Sequence, residues 1–145
     1  MKKTVSLIIS VALIAISLLA FSSCGEKAKP TIGIIQFGSH ESLVNCYEGI
    51  ILGLRDSGID LNDYNVELLN SNFDPSVSQS QAKTLVNKGA KVIIAIATPS
   101  AVAAANAADG AVPVVYCAVT DGATMANYEN VTGSSDIPND EKQLE

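Results

Sequence analysis

Lys91-Val-Ile-Ile-Ala-Ile-Ala97, followed at once by Thr98-Pro99-Ser100, is the stretch whose reading decides the fold. Apolar residues run from Val92 to Ala97 without alternation, so the segment has no face meant for water. Such a run reads as the central strand of a parallel sheet, covered by helices on both sides. Thr98-Pro99 then reads as an N-cap and first-turn pair opening an alanine-rich helix that reaches about Ala108. A buried strand that passes directly into a helix is half of a βαβ unit.

The same alternation recurs on either side. Thr31-Ile-Gly-Ile-Ile-Gln36 is a compact apolar run of strand length. Beyond Phe37-Gly38, the residues Leu43, Tyr47, Ile50, Ile51 and Leu54 form the stripe of an amphipathic helix. Ser39 is the expected N-cap of that helix, Glu41 suits its positive end, and Gly58 stops it. Tyr64 to Leu69 reads as a half-buried strand, and Asp74-Pro75 opens a second helix with Ala82, Leu85 and Val86 inward and Gly89 closing it. Downstream, Pro113 to Val119 makes a fourth strand and Asn130 to Gly133 a shorter fifth. Strands and helices alternating over short connections predict an α/β fold, a doubly wound parallel sheet with right-handed crossovers. Pro138 to Glu145 begins like a helix and stops after about two turns of ~3.6 residues, which reads as a chain cut inside an element.

The 145 residues are 48% hydrophobic and 17% charged, with a mean hydropathy of +0.28, too apolar for a disordered chain and high for a soluble domain. The excess sits at the front. Lys2-Lys3, an apolar run from Val5 to Phe21 and then Ser22-Ser23 describe a secretory signal peptide. An uncleaved membrane anchor and a plain secreted protein are the alternatives. Phe21-Ser22-Ser23-Cys24 resembles the bacterial lipobox, in which the cysteine is lipidated and becomes the new N-terminus. Residues 1–23 are thus an expected lipoprotein leader, 24–30 a polar tether, and 31–145 one lobe. Acyl chains on Cys24 would tether the rest to a bilayer on the extracytoplasmic side.

A formal charge of −6 and a pI near 4.6 leave no basic footprint for a phosphate backbone, so nucleic acid is not an expected partner. Cys46 and Cys117 could pair in a compartment that tolerates disulfides. Their places in a helix stripe and at a strand end suit free cysteines acting as small hydrophobes instead.

In an open parallel sheet, ligands bind outside the carboxyl ends of the strands, at the switch point. Polar residues collect there: Gln36, Ser39 and His40 after the first strand, Ser71 and Asn72 after the second, and Thr98 and Ser100 after the third. Thr120 and Asp121 follow the fourth, and Ser134 and Ser135 the fifth. Two of these ends also open helices, whose free N–H groups suit a carboxylate. Thr98 and Ser100 would meet that carboxylate, and Asp121 a ligand ammonium. The plainer roles are a helix cap for Thr98, a turn for Asp121-Gly122, and a capping or surface place for His40. No nucleophile elbow, dinucleotide or phosphate-loop motif and no zinc spacing occurs, and His40 is the one histidine. Binding is therefore favoured over catalysis, and no cofactor is implied.

Several segments together resemble the substrate-binding lipoproteins of ABC importers, in particular the group described as tryptophan or tyrosine uptake binding proteins. They are Thr31 to Gln36, Glu48-Gly49 with Gly53-Leu54, Ile93 to Pro99, Pro113-Val-Val with Ala118 to Asp121, and Asn130 to Asp136. Gly122 departs from the pattern, where family members tend to carry proline. The resemblance implies a periplasmic-binding-protein-like fold, two lobes closing on a ligand, of which this chain matches the N-terminal one and is truncated before the second. It further implies capture of a small solute, an amino acid and by analogy an aromatic one, for delivery to an ABC permease in the membrane. Gln36, Thr98, Ser100, Thr120 and Asp121 would line the cleft, with Phe37 as part of an apolar wall. One lobe by itself is expected to bind weakly. A lipid-anchored enzyme or a solute sensor on the same fold is the competing reading.

Overall fold

Strand β3 (Val92–Ile96) has four of its five residues buried, and it sits in the middle of the sheet as its composition demands. The computed structural model describes residues 28–136. In chain order these form β1 (Thr31–Gln36), α1 (Glu41–Asp56), β2 (Asn65–Asn70), α2 (Pro75–Asn87), β3, α3 (Thr98–Ala108), β4 (Val114–Val119) and β5 (Val131–Ser135). Short 3-10 turns at Leu61–Asp63 and Gly122–Met125 occupy two of the connections. The sheet order is β2-β1-β3-β4-β5, and every neighbouring pair is parallel. The order reverses between β1 and β3, so the switch point lies at Gln36 and Ile96.

Two cores flank the sheet. Ile35, Ile93, Ala95 and Val114 pack against α2 and α3. The alanines of α3 leave room for that close approach: Ala101, Ala103, Ala104, Ala105 and Ala108 are all buried. On the opposite face Ile32, Ile34, Ile94 and Ile96 meet the half-buried stripe of α1, in which Leu43, Tyr47, Ile50, Ile51 and Leu54 take part as the periodicity predicts. Burying a side chain of this size contributes roughly 1.5–3 kcal/mol, so the ten or so isoleucines, leucines and valines of these two layers hold the fold. Helices on both faces of a parallel sheet make the doubly wound architecture the sequence implies.

Two capping expectations are corrected. Ser39 does not cap α1; His40 does, its Nδ1 accepting from the Ser42 N–H at 3.3 Å. Ser39 is drawn away because its Oγ accepts instead from Asn70 Nδ2 at 2.8 Å, tying the end of β1 to the end of β2. Thr98 does not cap α3 either. Ala97 occupies the N-cap position at φ 79 and ψ 154, with no side-chain cap, and Thr98 is already helical. By contrast Asp74 caps α2 through the Ser76 N–H at 2.8 Å, and Gly89 follows that helix at φ +73, as read from sequence. β5 extends to Ser135 because Val119, after a bulge in β4, pairs with it. At Gly133 any Cβ would lie 2.0 Å from the Tyr116 carbonyl oxygen, so only glycine lets β5 approach β4 there. The leader, Cys24 and the run from Pro138 lie outside the described residues.

Candidate functional site

All three helices begin at the carboxyl edge of the sheet, and their N-termini differ in one respect. α1 is capped by His40 and α2 by Asp74, whereas α3 has no side-chain cap. A helix N-terminus carries unpaired N–H donors and roughly half a positive charge. With Pro99 lacking an N–H, the donors of the first turn of α3 are those of Thr98 and Ser100. The positive end of a buried helix is thus left to be completed by something outside it.

The surroundings of that end are unusual for their chemistry. Ser100 is fully buried, and its Oγ has no hydrogen-bond partner, a state that costs on the order of 1–3 kcal/mol. Ala97, the residue that turns β3 into α3, is held in a region of backbone space that is essentially confined to glycine, at about 1–3 kcal/mol. Asn72, Phe73 and Ala118 also have positive φ values of 49, 63 and 53, so strained backbone follows β2, β3 and lies near the end of β4. Strain of this kind collects where a binding edge is being shaped.

The expected residues differ in how the fold engages them. Gln36 is 3% exposed at the tip of β1 and donates from Nε2 to the Gly38 carbonyl at 2.7 Å. Thr98 and Thr120 are brought together, since Thr98 Oγ1 accepts from the Thr120 N–H at 3.3 Å. Ser100 lies buried in the same first turn of α3 as Thr98. Asp121 lies exposed beside them, and its Oδ1 accepts from the Ala123 N–H at 2.9 Å, the turn role foreseen for Asp121-Gly122. Ser39 and His40 are exposed at the same edge but engaged in local hydrogen bonds, His40 Nδ1 also lying 2.9 Å from Ser42 Oγ. Ser134 is exposed on the outermost strand, two strands from the switch point. Ser71 is buried beneath α2, bonded to Gln81 and Ser78, and serves the fold.

One residue was not foreseen. Phe73, 56% exposed, stands edge-on to Phe37, with ring centroids 5.7 Å apart and planes at 87°. Its backbone N–H donates to the Phe37 carbonyl at 2.7 Å. Gly38 makes room for it, since a Cβ there would lie 2.3 Å from the Phe73 ring. The signal was present in an aromatic residue directly before the Asp74-Pro75 cap, where an apolar side chain usually packs on its own helix. Here the position it would meet is Ser78, so the ring is free to join Phe37.

A groove of about 590 Å³ lies elsewhere, near the amino ends of the strands beside α1, lined by Ile32, Ile50, Leu54, Val92, Ile94 and Val115 among others. Its lining is mostly apolar, with Ser57, Tyr64 and Lys91 as its few polar side chains and no carboxylate, so its chemistry suits packing rather than recognition of a zwitterion. Among the described residues no group of three or more metal-ligating side chains occurs.

Residues 31–145 match the family described as ABC transporter substrate binding protein. A tyrosine-binding protein of Clostridioides difficile (strain R20291) is 35% identical over 128 residues, 83% of this chain and 37% of that protein. The ABC domain from Streptococcus pneumonia solved in complex with L-Trp is 36% identical at a TM-score of 0.68, over 74% of this chain and 39% of that one. The ligand-free, open structure of a substrate binding protein with adhesive properties from Clostridium difficile is 30% identical at a TM-score of 0.73, covering 79% and 41%. The chain therefore spans about two fifths of the length of these relatives.

Proposed function

The chain belongs to the ABC transporter substrate binding protein family, and from that premise we propose that the carboxyl edge of its sheet is one wall of a cleft that captures an amino acid, an aromatic one by preference. The observation that carries this reading is the uncapped N-terminus of α3 beside the unpartnered Ser100 hydroxyl. An α-carboxylate placed there accepts from the N–H groups of Thr98 and Ser100 and gives the buried hydroxyl an acceptor, while the helix dipole favours its charge. Asp121, the acidic residue that follows β4, supplies a counter-charge for the α-ammonium. The Phe37–Phe73 pair offers an apolar wall to the side chain.

Relatives of which this chain spans about two fifths have the residues to close a second wall over the ligand. A site built from one wall leaves much of the ligand in water, so the 145-residue chain is expected to bind weakly. Delivery to a membrane permease, and tethering to the extracytoplasmic face of a membrane through lipidated Cys24, belong to the same proposal. The lipobox-like Phe21-Ser22-Ser23-Cys24 supports the anchor, and the family supports the permease. The relatives are described by what they bind, which favours binding over an enzyme on the same fold.

A backbone-amide NMR titration of the chain tests the site. L-tryptophan and L-tyrosine are expected to shift the Thr98, Ser100 and Thr120 amides, and tryptamine, which lacks the carboxylate, to leave them in place. Absence of any shift at this edge with any of the twenty amino acids would overturn the reading.

A further inference from the structure

Cys46 and Cys117 are 71 positions apart in sequence, and the fold brings them together. Cys46 belongs to the inward stripe of α1 and Cys117 to β4, and both pack against the cluster of Ile32, Ile34, Ile94 and Ile96. The pairing of Ile96 with Cys117 explains the encounter. Neighbours in register on adjacent strands point to the same face, and Ile96 faces α1, so Cys117 does as well. α1 in turn lies across β3 and β4. Both thiols are free and half-buried, and Cys46 lies near enough to Cys117 to help raise its thiol. Immediately after Cys117 the strand is irregular, with Ala118 at φ 53 and a register shift between Tyr116 and Val119. Such a bulge bends the strand locally.

We propose that Cys46 and Cys117 are a redox dithiol, which an oxidant of the disulfide class such as oxidised glutathione converts to a disulfide stapling α1 onto the sheet. Burial, reinforced by the neighbouring Cys46, pushes the Cys117 thiol up to about 11, which makes Cys117 the poorer first nucleophile and leaves the opening attack to Cys46. Its thiolate attacks one sulfur of oxidised glutathione, forming a mixed disulfide and expelling one glutathione thiolate. Cys117 then gives its proton to solvent and attacks the Cys46 sulfur, forming the internal bond and expelling the second glutathione thiolate. The two cysteines are oxidised by two electrons, and one glutathione disulfide is reduced to two glutathiones. The closed loop would enclose β2, α2, β3 and α3, so the constraint falls on most of the unfolded chain.

The experiment exposes the folded 145-residue chain to oxidised glutathione and maps its peptides by mass spectrometry. The expected product has a link between the peptides of Cys46 and Cys117, a loss of about 2 Da, and two fewer titratable thiols. In Cys117→Ser the mixed disulfide with glutathione is expected to persist on Cys46, because no second thiol resolves it. Wild-type chain that keeps both thiols, carries lasting glutathione adducts on both, or joins either one to Cys24 instead would overturn the proposal.

Discussion

Thr98 Oγ1 accepts a hydrogen bond from the Thr120 N–H at 3.3 Å, across 22 positions of sequence. That contact joins the first turn of α3 to the end of β4, while the N-cap position belongs to Ala97, which has no side-chain oxygen to offer the helix.

Thr98→Val removes the acceptor at nearly constant volume. Urea unfolding is expected to show a loss of about 0.5–1.5 kcal/mol with an unchanged slope. Thr98→Ser, which keeps the hydroxyl, should stay near wild type. A valine variant as stable as wild type would mean that this contact contributes nothing to the edge.

Ser100→Ala deletes a buried hydroxyl that has no partner. Stability is expected to hold or rise by up to about 1 kcal/mol, because an unmet desolvation cost disappears with the group. The same variant should weaken the carboxylate-dependent amide shifts. A clear loss of stability in thermal unfolding would show that the hydroxyl is bonded in solution.

Asp121→Asn retains an oxygen for the Ala123 N–H and loses only the charge. The fold should be unaffected, while affinity for an amino acid falls about tenfold, or ~1.4 kcal/mol. An indole carboxylate without an ammonium group should bind both forms alike. Equal amino-acid affinity in the two would confine Asp121 to its turn.

The Asp74 carboxyl is held below its ordinary value of 3.8, first by the Ser76 hydroxyl and next by the Ser76 N–H. A depressed folded value means that the unfolded chain binds more protons near pH 4, so this group's contribution is complete above that pH and is lost as pH falls through the folded value. Asp74→Asn keeps the cap but cannot titrate. The fall in thermal midpoint between pH 6 and pH 3 is therefore expected to be smaller in the variant than in wild type. Equal falls would place the acid sensitivity elsewhere.

Much of the fold was legible because it rests on periodicity. The unbroken apolar run before Thr98 could only be a strand covered on both faces, and β1 occupies Thr31–Gln36 as read. Asp74-Pro75 and Gly89 act locally, and local rules placed them correctly. The errors at Ser39 and Thr98 share one form. Each helix starts one residue away from where its composition suggests, at His40 after Ser39 and at Ala97 before Thr98, and each hydroxyl bonds a group brought from far along the chain.

The candidate edge was legible as a set of strand ends, since a parallel sheet must place them together. The contacts within it were not. Phe73 joins Phe37 only because Gly38 leaves space between two loops, and the isolation of the Ser100 hydroxyl depends on what surrounds it. By itself the sequence determined the order of strands and helices, which side chains form the two cores, and which edge carries polar groups, because these follow from spacing along one chain. Only the tertiary structure decided which helix end stays uncapped, which hydroxyl lacks a partner and which two thiols meet, because each depends on residues that the fold brings together from far apart.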